Sequence, residues 1–305
     1  MVNPSVAILI PVHNGLEYTR PSLEKLKQLI SELPGYSPVR FSLVVIDDGS
    51  DDGTSEWLRE KHPEVTLLQG DGNLWWSGSV SKGARFAIER TEADYVLLWN
   101  NDIVPEENYF VRLTEHILNA PRDAIIGSVI YDYNHPDYLW SQGGIFNPRT
   151  GQKYMLGMGQ PVHRSSLEIR QVDWLTGMGT LIPARVFAAI GYWNARYFPQ
   201  YHGDMEFAYR ATLSGFKNMV YPDLILYNQT ENTAALHQNR LSGLWASLFH
   251  IKSKYNLAKD IRFYITFSKS PRAYLPLFTK YFRYIGGFFK WKLLRTFGVN
   301  KSGSH

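Results

Sequence analysis

Three short apolar runs in the first hundred residues constrain the fold most. Val6-Ala7-Ile8-Leu9-Ile10 ends at Pro11, Phe41 to Ile46 runs into Asp47-Asp48, and Tyr95-Val96-Leu97-Leu98 runs into Trp99-Asn100-Asn101-Asp102. Short continuous apolar runs closed by turn signals are the pattern of strands buried on both faces, as in a parallel sheet. Between the first two, Leu23, Leu26, Leu29, Ile30 and Leu33 share one face of a helix predicted over Tyr18 to Leu33 and stopped by Pro34-Gly35. A short helix at Ser55 to Glu60, a strand at Val65 to Leu68 and a helix through Ala84, Ala87 and Ile88 continue the alternation. The expectation is an α/β fold with a doubly wound, mostly parallel sheet flanked by helices. Such sheets bind ligands at the carboxyl ends of their strands. Two acidic strand ends on one rim therefore predict a site for a divalent metal and a sugar nucleotide.

Beyond Asp102 the pattern is less regular. Pro105 is expected to open a helix reaching Leu118, and Ala124 to Val129 reads as a further strand. Residues 131–170 read as loops with short strands, followed by strands at Val172 to Leu175 and Gly179 to Ile182. A helix from Asp204 is expected to turn Phe207, Ala211 and Leu213 inward.

The net charge of +4 hides an asymmetry. From residue 250 onward there are twelve Lys/Arg and one acid, Asp260, so the tail carries +11 and residues 1–249 carry −7. Two parts so differently charged meet different partners. The natural cut falls at 240, giving a main α/β domain over 1–240 and a helical region over 241–301. Residues 302–305 read as a tag remnant. In the tail, Phe278, Tyr281, Phe282, Tyr284, Phe288, Phe289, Trp291 and Phe297 alternate with Lys280, Arg283, Lys290, Lys292 and Arg295. No nucleic-acid motif accompanies them, so no nucleic-acid partner is expected. Amphipathic basic-aromatic helices suit an anionic membrane surface; packing on the catalytic domain or on a second subunit of an oligomer is the alternative. The absence of cysteine excludes disulfides, thiolate metal sites and a cysteine nucleophile. No signal peptide is expected from the first residues, and no uncharged apolar run is long enough to span a bilayer.

Four motifs stand in order: Pro11-Val12-His13-Asn14, the Asp47 to Thr54 loop, Asn100-Asn101-Asp102, and Gly203-Asp204-Met205-Glu206. Together they resemble a family 2 inverting glycosyltransferase with the GT-A fold, the group containing bacterial rhamnosyl- and other polysaccharide glycosyltransferases. The resemblance covers about residues 5–230. It implies that Asp48 sits beside a pyrimidine base, with Pro11, His13 and Asn14 lining the same pocket. A carboxylate there can accept the ring N–H of uracil or thymine. Asp51, Asp52 and Thr54 read instead as turn and capping residues. Asn100-Asn101-Asp102 occupies the family's Asp-x-Asp metal motif with Asn100 in place of the first acid. Asp102 is then the expected ligand of Mg²⁺ or Mn²⁺, Asn100 a weaker one, and Asn101 a donor contact.

By the same resemblance Asp204 is the catalytic base, taking the acceptor hydroxyl proton in an inverting transfer. Gly203 and Glu206 depart from the usual acids, and Arg210 matches the family's arginine. Trp174, Thr176 and Gly177 match the turn beneath donor sugar and acceptor. Asn73 and Lys82 lie where the family reaches the nucleotide, and Trp75-Trp76 is placed to shape that pocket. Asn228 stands near the family's later metal-binding His, with His237 the nearest downstream candidate. The resemblance implies transfer from a UDP- or dTDP-sugar to a saccharide, lipid-linked acceptor during bacterial surface polysaccharide synthesis, at the cytoplasmic face of the membrane. A sugar nucleotidyltransferase is the rival enzyme, although no Gly-rich basic loop follows the first strand. A non-catalytic glycan- or nucleotide-binding relative is the other alternative.

Overall fold

The three apolar runs pair as parallel neighbours. In the computed structural model, which describes residues 3–35, 37–121, 123–161, 168–229 and 241–296, β1 (Ser5–Val12) lies between β2 (Arg40–Asp47) and β4 (Tyr95–Leu98). β3 (Thr66–Gln69) extends the sheet beyond β2. Helices α1 (Leu16–Ser31), α2 (Thr54–Lys61) and α3 (Trp75–Glu89) make the crossovers, so β1 to β4 all end on one rim. The sheet then turns mixed. After β5 (Ile103–Pro105), α4 (Tyr109–Asn119), β6 (Ala124–Asp132) and β7 (Leu139–Ser141), the strand order runs β10-β12-β6-β11-β4-β1-β2-β3. Here β10 is Arg170–Val172, β11 is Thr180–Pro183 and β12 is Lys217–Asn228, with β11 antiparallel to β4. β8 (Gly144–Phe146) and β9 (Lys153–Met155) form a separate two-stranded hairpin. Helices α5 (Ala184–Ile190) and α6 (Gly203–Leu213) lie between β11 and β12.

The central strands carry the core, with Ala7, Ile8, Leu9, Val45, Ile46, Val96 and Leu97 essentially without exposed surface. Trp99 continues that core past the end of β4. It stacks on Phe110 at 6.0 Å between ring centroids and meets Tyr109 edge-on. The rim thus stands on a rigid aromatic base.

Several expectations are corrected. Pro105 does not open a helix: it ends β5, paired with Leu226, and α4 starts at Tyr109. The apolar pattern does not announce β12, because Pro222-Asp223 interrupts it where the register slips between Tyr221 and Ile225. Leu213 is 52% exposed, whereas Phe207 and Ala211 are buried as expected.

The chain divides into two compact units, Met1–Ile145 with Tyr154–Asn232, and Phe146–Lys153 with Thr233–His305. A single cut at 240 does not capture the hairpin tip, residues 146–153, which belongs to the second unit. That unit also contains α7 (Leu241–Phe249), α8 (Leu257–Phe267), a 3-10 turn at Pro271–Ala273 and α9 (Tyr274–Thr296). Its only acid from residue 250 onward, Asp260, is fully buried and accepts from Lys153 Nζ and Tyr281 Oη, each at 2.8 Å, and from Lys280. Among the described residues, no helix is long and apolar enough to cross a membrane.

Candidate active site

At the end of β2 two adjacent carboxylates do different work. Asp47 folds its own turn, accepting from Ser50 N at 2.9 Å and from the Ser55 hydroxyl. Asp48 gathers the loop after β3: Oδ1 accepts from Gly72 N (2.9 Å) and Leu74 N (3.2 Å), and Oδ2 from Trp75 N (2.8 Å). A carboxylate offers roughly four acceptor sites, so three backbone amides leave room for one more donor. His13 Nδ1–H donates to the Asp48 carbonyl at 2.8 Å, which in the neutral ring leaves Nε2 as an acceptor on an exposed side chain. Asn14, at φ 47°, accepts Asp51 N at 2.8 Å and donates its own N–H to Ser50 Oγ. Asp52 ties two helices, accepting from Leu16 N and from Thr54 N and Oγ1. Burial opposes its ionisation, but these hydrogen bonds win and hold its carboxyl below the usual range. Replacing Asp48 by Ala should release the Gly70–Trp75 loop and lower unfolding free energy by about 3 kcal/mol, at the scale of hydrogen bonds to a charged group. Urea denaturation measures this.

At the end of β4 the side chains of the Asn-Asn-Asp run diverge. Asn100 Oδ1 accepts the indole N–H of Trp76 at 3.1 Å, and Asn101 Nδ2 donates to Thr19 Oγ1 at 2.9 Å. Asn100 thus holds Trp76, and Asn101 ties the rim to α1. Asp102 is the exception. Its Oδ1 is buried with no hydrogen-bond partner among the described residues, and burial pushes its carboxyl above the usual range. β12 runs alongside, with Asn228 registered against Ile103 and Gln229 N donating to the Asp102 carbonyl at 3.0 Å. The charge of Asp102 also raises the Tyr201 hydroxyl pKa, after the larger effect of that side chain's own burial.

An orphaned buried carboxylate oxygen fits a hard cation, which needs oxygen donors and leaves positions for a ligand's own oxygens. Among the described residues no three His, Asp or Glu side chains converge, so the fit rests on Asp102. His237 lies outside the described residues.

Asp204 opens α6. Tyr201 and His202 precede it at φ 60° and 61°, left-handed conformations that non-glycine residues adopt at a cost of order 1 kcal/mol each and that cluster at functional sites. Gly203, where the resemblance would place an acid, is closely packed. A Cβ there would collide with Ser77 Oγ and come within 3.0 Å of the Phe198 carbonyl. The Asp204 carboxylate accepts from Gly177 N at 3.1 Å and Met205 N at 2.8 Å. Burial outweighs both bonds and raises its pKa above the ordinary carboxylate value. Two acceptor sites remain.

The other expected pocket residues make contacts within the protein. Arg210 donates to Glu206 Oε1 and Oε2 at 3.0 and 3.2 Å and to the Ile190 and Tyr192 carbonyls. Its guanidinium therefore braces α6 against the segment before it. Trp174 is 6% exposed, its ring lying where a Cβ on Gly144 would be, so it is a core residue. Thr176 is buried too, its carbonyl accepting from Thr180 Oγ1. Lys82 is exposed and donates to the Gln69 carbonyl, while Asn73 is exposed on the loop that Asp48 holds. Pro11 is half-buried in β1, registered against Ile46.

The residue that joins these parts is Trp76. Its ring occupies the space beside Gly177 that a Cβ would need, and its backbone N–H donates to Gln200 Oε1 at 3.1 Å. With the indole bond to Asn100, the side chain touches the end of β4 and the Gly177 turn, while the backbone N–H ties the residue to the segment leading to Asp204. The Trp75-Trp76 pair signals an aromatic contact in sequence, but not which partners it joins. Trp76→Phe keeps an aromatic side chain but removes the indole N–H and part of the ring volume packed on Gly177. We expect a stability loss of about 1 kcal/mol and a kcat loss near tenfold, checked by denaturation and steady-state kinetics.

A strand rim with two acidic ends, a third carboxylate on a facing helix and a mixed α/β sheet define a glycosyltransferase of the GT-A fold. The chain belongs to glycosyl transferase family 2, whose family model matches residues 7–170. It is 25% identical over 257 residues to the N-acetylglucosaminyl-diphospho-decaprenol L-rhamnosyltransferase of Mycobacterium tuberculosis, a match covering 79% of this chain and 80% of that protein. The mannosyltransferase PcManGT from Pyrobaculum calidifontis, solved with GDP-Man and Mn²⁺, shares the fold at a TM-score of 0.58 and 15% identity, covering 99% of this chain and 76% of that one. GalNAc-T7, solved with UDP, GalNAc and Mn²⁺, aligns at a TM-score of 0.54 and 13% identity, over 74% of this chain but only 43% of its own length.

Proposed function

We propose that this enzyme transfers a sugar, with inversion, from a UDP- or dTDP-sugar to a lipid-linked saccharide. The observation that carries this reading is the Asp204 carboxylate, fixed by Gly177 N–H and Met205 N–H with acceptor capacity to spare. Its raised pKa suits a base, because a stronger base takes the acceptor proton more readily as long as it is still ionised at working pH. The acceptor oxygen attacks the anomeric carbon as its proton moves to Asp204, and the nucleoside diphosphate leaves from the opposite face. Asp48 and His13 hold the nucleotide end, His13 through Nε2 and Asp48 through its remaining acceptor site. Asp102 would hold a divalent cation, which when bound neutralises negative charge on the departing diphosphate. Trp76 keeps these elements in register.

The Mycobacterium relative's name specifies a lipid diphosphate acceptor, and that supports a lipid-linked acceptor here. The basic second unit supports residence at an anionic membrane surface, which for bacterial polysaccharide synthesis is the cytoplasmic face. A thermal-shift panel of sugar nucleotides, with and without Mn²⁺, tests the reading, since a ligand of the folded state raises stability by mass action. No response to any pyrimidine nucleotide would remove it.

A further inference from the structure

The second unit holds an open cavity of about 690 Å³ lined by Arg149, Lys269, Arg272, Ser270, Leu275 and Pro276, among others. Sequence does not bring these residues together; the fold does. Lys269 N donates to the Pro148 carbonyl at 2.8 Å, Ser270 Oγ to the Arg149 carbonyl at 3.0 Å, and Tyr264 Oη to the Gly151 carbonyl at 2.6 Å. Gly151 sits so close to Ala273 that no side chain fits between them. The hairpin tip is thus fastened to the turn before α9, which sets three cations around one concavity. None of the three forms an ion pair with a described carboxylate, and the unit's one acid beyond residue 250 is buried against Lys153 and Lys280. Three like charges held together without a counter-charge are a ready anion site, and arginine matches phosphate oxygens well.

The cavity does not end in a polar surface. Leu275, one of its lining residues, begins a row of exposed apolar side chains along α9: Leu275 (68%), Phe278 (69%), Phe282 (80%), Phe289 (51%) and Leu293 (61%). Spacings of three, four and seven place them on one face of a helix about 34 Å long. Arg283 and Lys290 lie along the side of that face. A cationic pocket continuous with an apolar helical face is complementary to an amphiphile with a phosphate head and a hydrocarbon tail.

We propose that Arg149, Lys269 and Arg272 form a binding site for the phosphate headgroup of an anionic membrane lipid, with the α9 face entering the acyl region beside it. This rests on the membrane-surface reading above and deepens it, from diffuse attraction to one headgroup site. The test is co-sedimentation of the full chain with vesicles of phosphatidylcholine alone or with about one-third phosphatidylglycerol. Arg149→Gln/Arg272→Gln is compared with Lys252→Gln/Lys254→Gln, which removes the same charge from exposed positions outside the cavity. Tight binding of the wild type to the anionic vesicles is expected, with a loss of roughly tenfold or more for the cavity pair and less than about threefold for the control pair. Equal losses for the two pairs would overturn the site and leave the membrane reading standing. No wild-type binding to anionic vesicles would overturn both. Inorganic phosphate alone is the second arm. If it stabilises the wild type but not the cavity pair, while vesicles fail to bind, the site is one for soluble phosphate and the lipid assignment is overturned. Circular dichroism melts of both pairs establish that they are folded.

Discussion

Asp204→Asn should lower kcat by at least about a hundredfold, the lower end of what a positioned base contributes, while leaving donor KM nearly unchanged. The amide keeps the shape and can still accept from one of the two N–H groups, so folding stability should move by no more than about 1 kcal/mol. Unchanged turnover would remove Asp204 as the base. The wild-type pH profile supplies an independent check. Asp204 works as a base only when ionised, and burial has raised its pKa. Activity should therefore fall as pH drops through that raised value, placing the acid limb above the ordinary carboxylate pKa. Stability runs the other way. A carboxyl whose folded pKa exceeds its unfolded one contributes stability fully below the unfolded pKa, and that contribution is lost as pH rises through the folded one. The same burial that helps catalysis at neutral pH thus costs stability there, and Asp204→Asn removes that cost.

What was legible in the sequence is what the chain encodes locally. Buried strands announce themselves as apolar runs, and Asp48, Asp102 and Asp204 stand immediately beside strand ends or a helix start. Asp52 could be read as a cap because its partner Thr54 is two residues away. The remainder depends on residues far apart in the chain. That Asn100 serves Trp76, that Gly203 packs closely on Ser77, and that Arg210 reaches back to Ile190 and Tyr192 are facts of packing with no linear signature. The hairpin tip at residues 146–153 is similar. Nothing in its composition assigns it to the C-terminal unit, yet Lys153 partners Asp260 across more than a hundred residues. Family departures that look like lost catalytic groups in sequence thus have packing contacts of their own. Gly203 leaves the space that Ser77 fills, and Asn100 accepts an indole N–H.

The contact between Asn100 and Trp76 sharpens the expectation for Asp102. If Asn100 has been given over to Trp76, cation binding concentrates on one carboxylate, and the two substitutions should separate. Asp102→Asn removes a buried negative charge whose Oδ1 has no partner among the described residues, and an uncompensated buried charge is costly. Without metal the variant should unfold at the same or higher urea concentration than the wild type. With UDP present, the extra stabilisation by Mn²⁺, about 2.7 kcal/mol when free ligand is a hundredfold above its Kd, should disappear, and transfer should fall by at least about a hundredfold. Asn100→Ala should do the reverse: it should cost about 1 kcal/mol of stability by stranding the Trp76 N–H, while the response to Mn²⁺ survives. A Mn²⁺ response retained in Asp102→Asn and lost in Asn100→Ala would exchange the two assignments. It would mean that the amide carbonyl turns from Trp76 to the cation when the nucleotide binds.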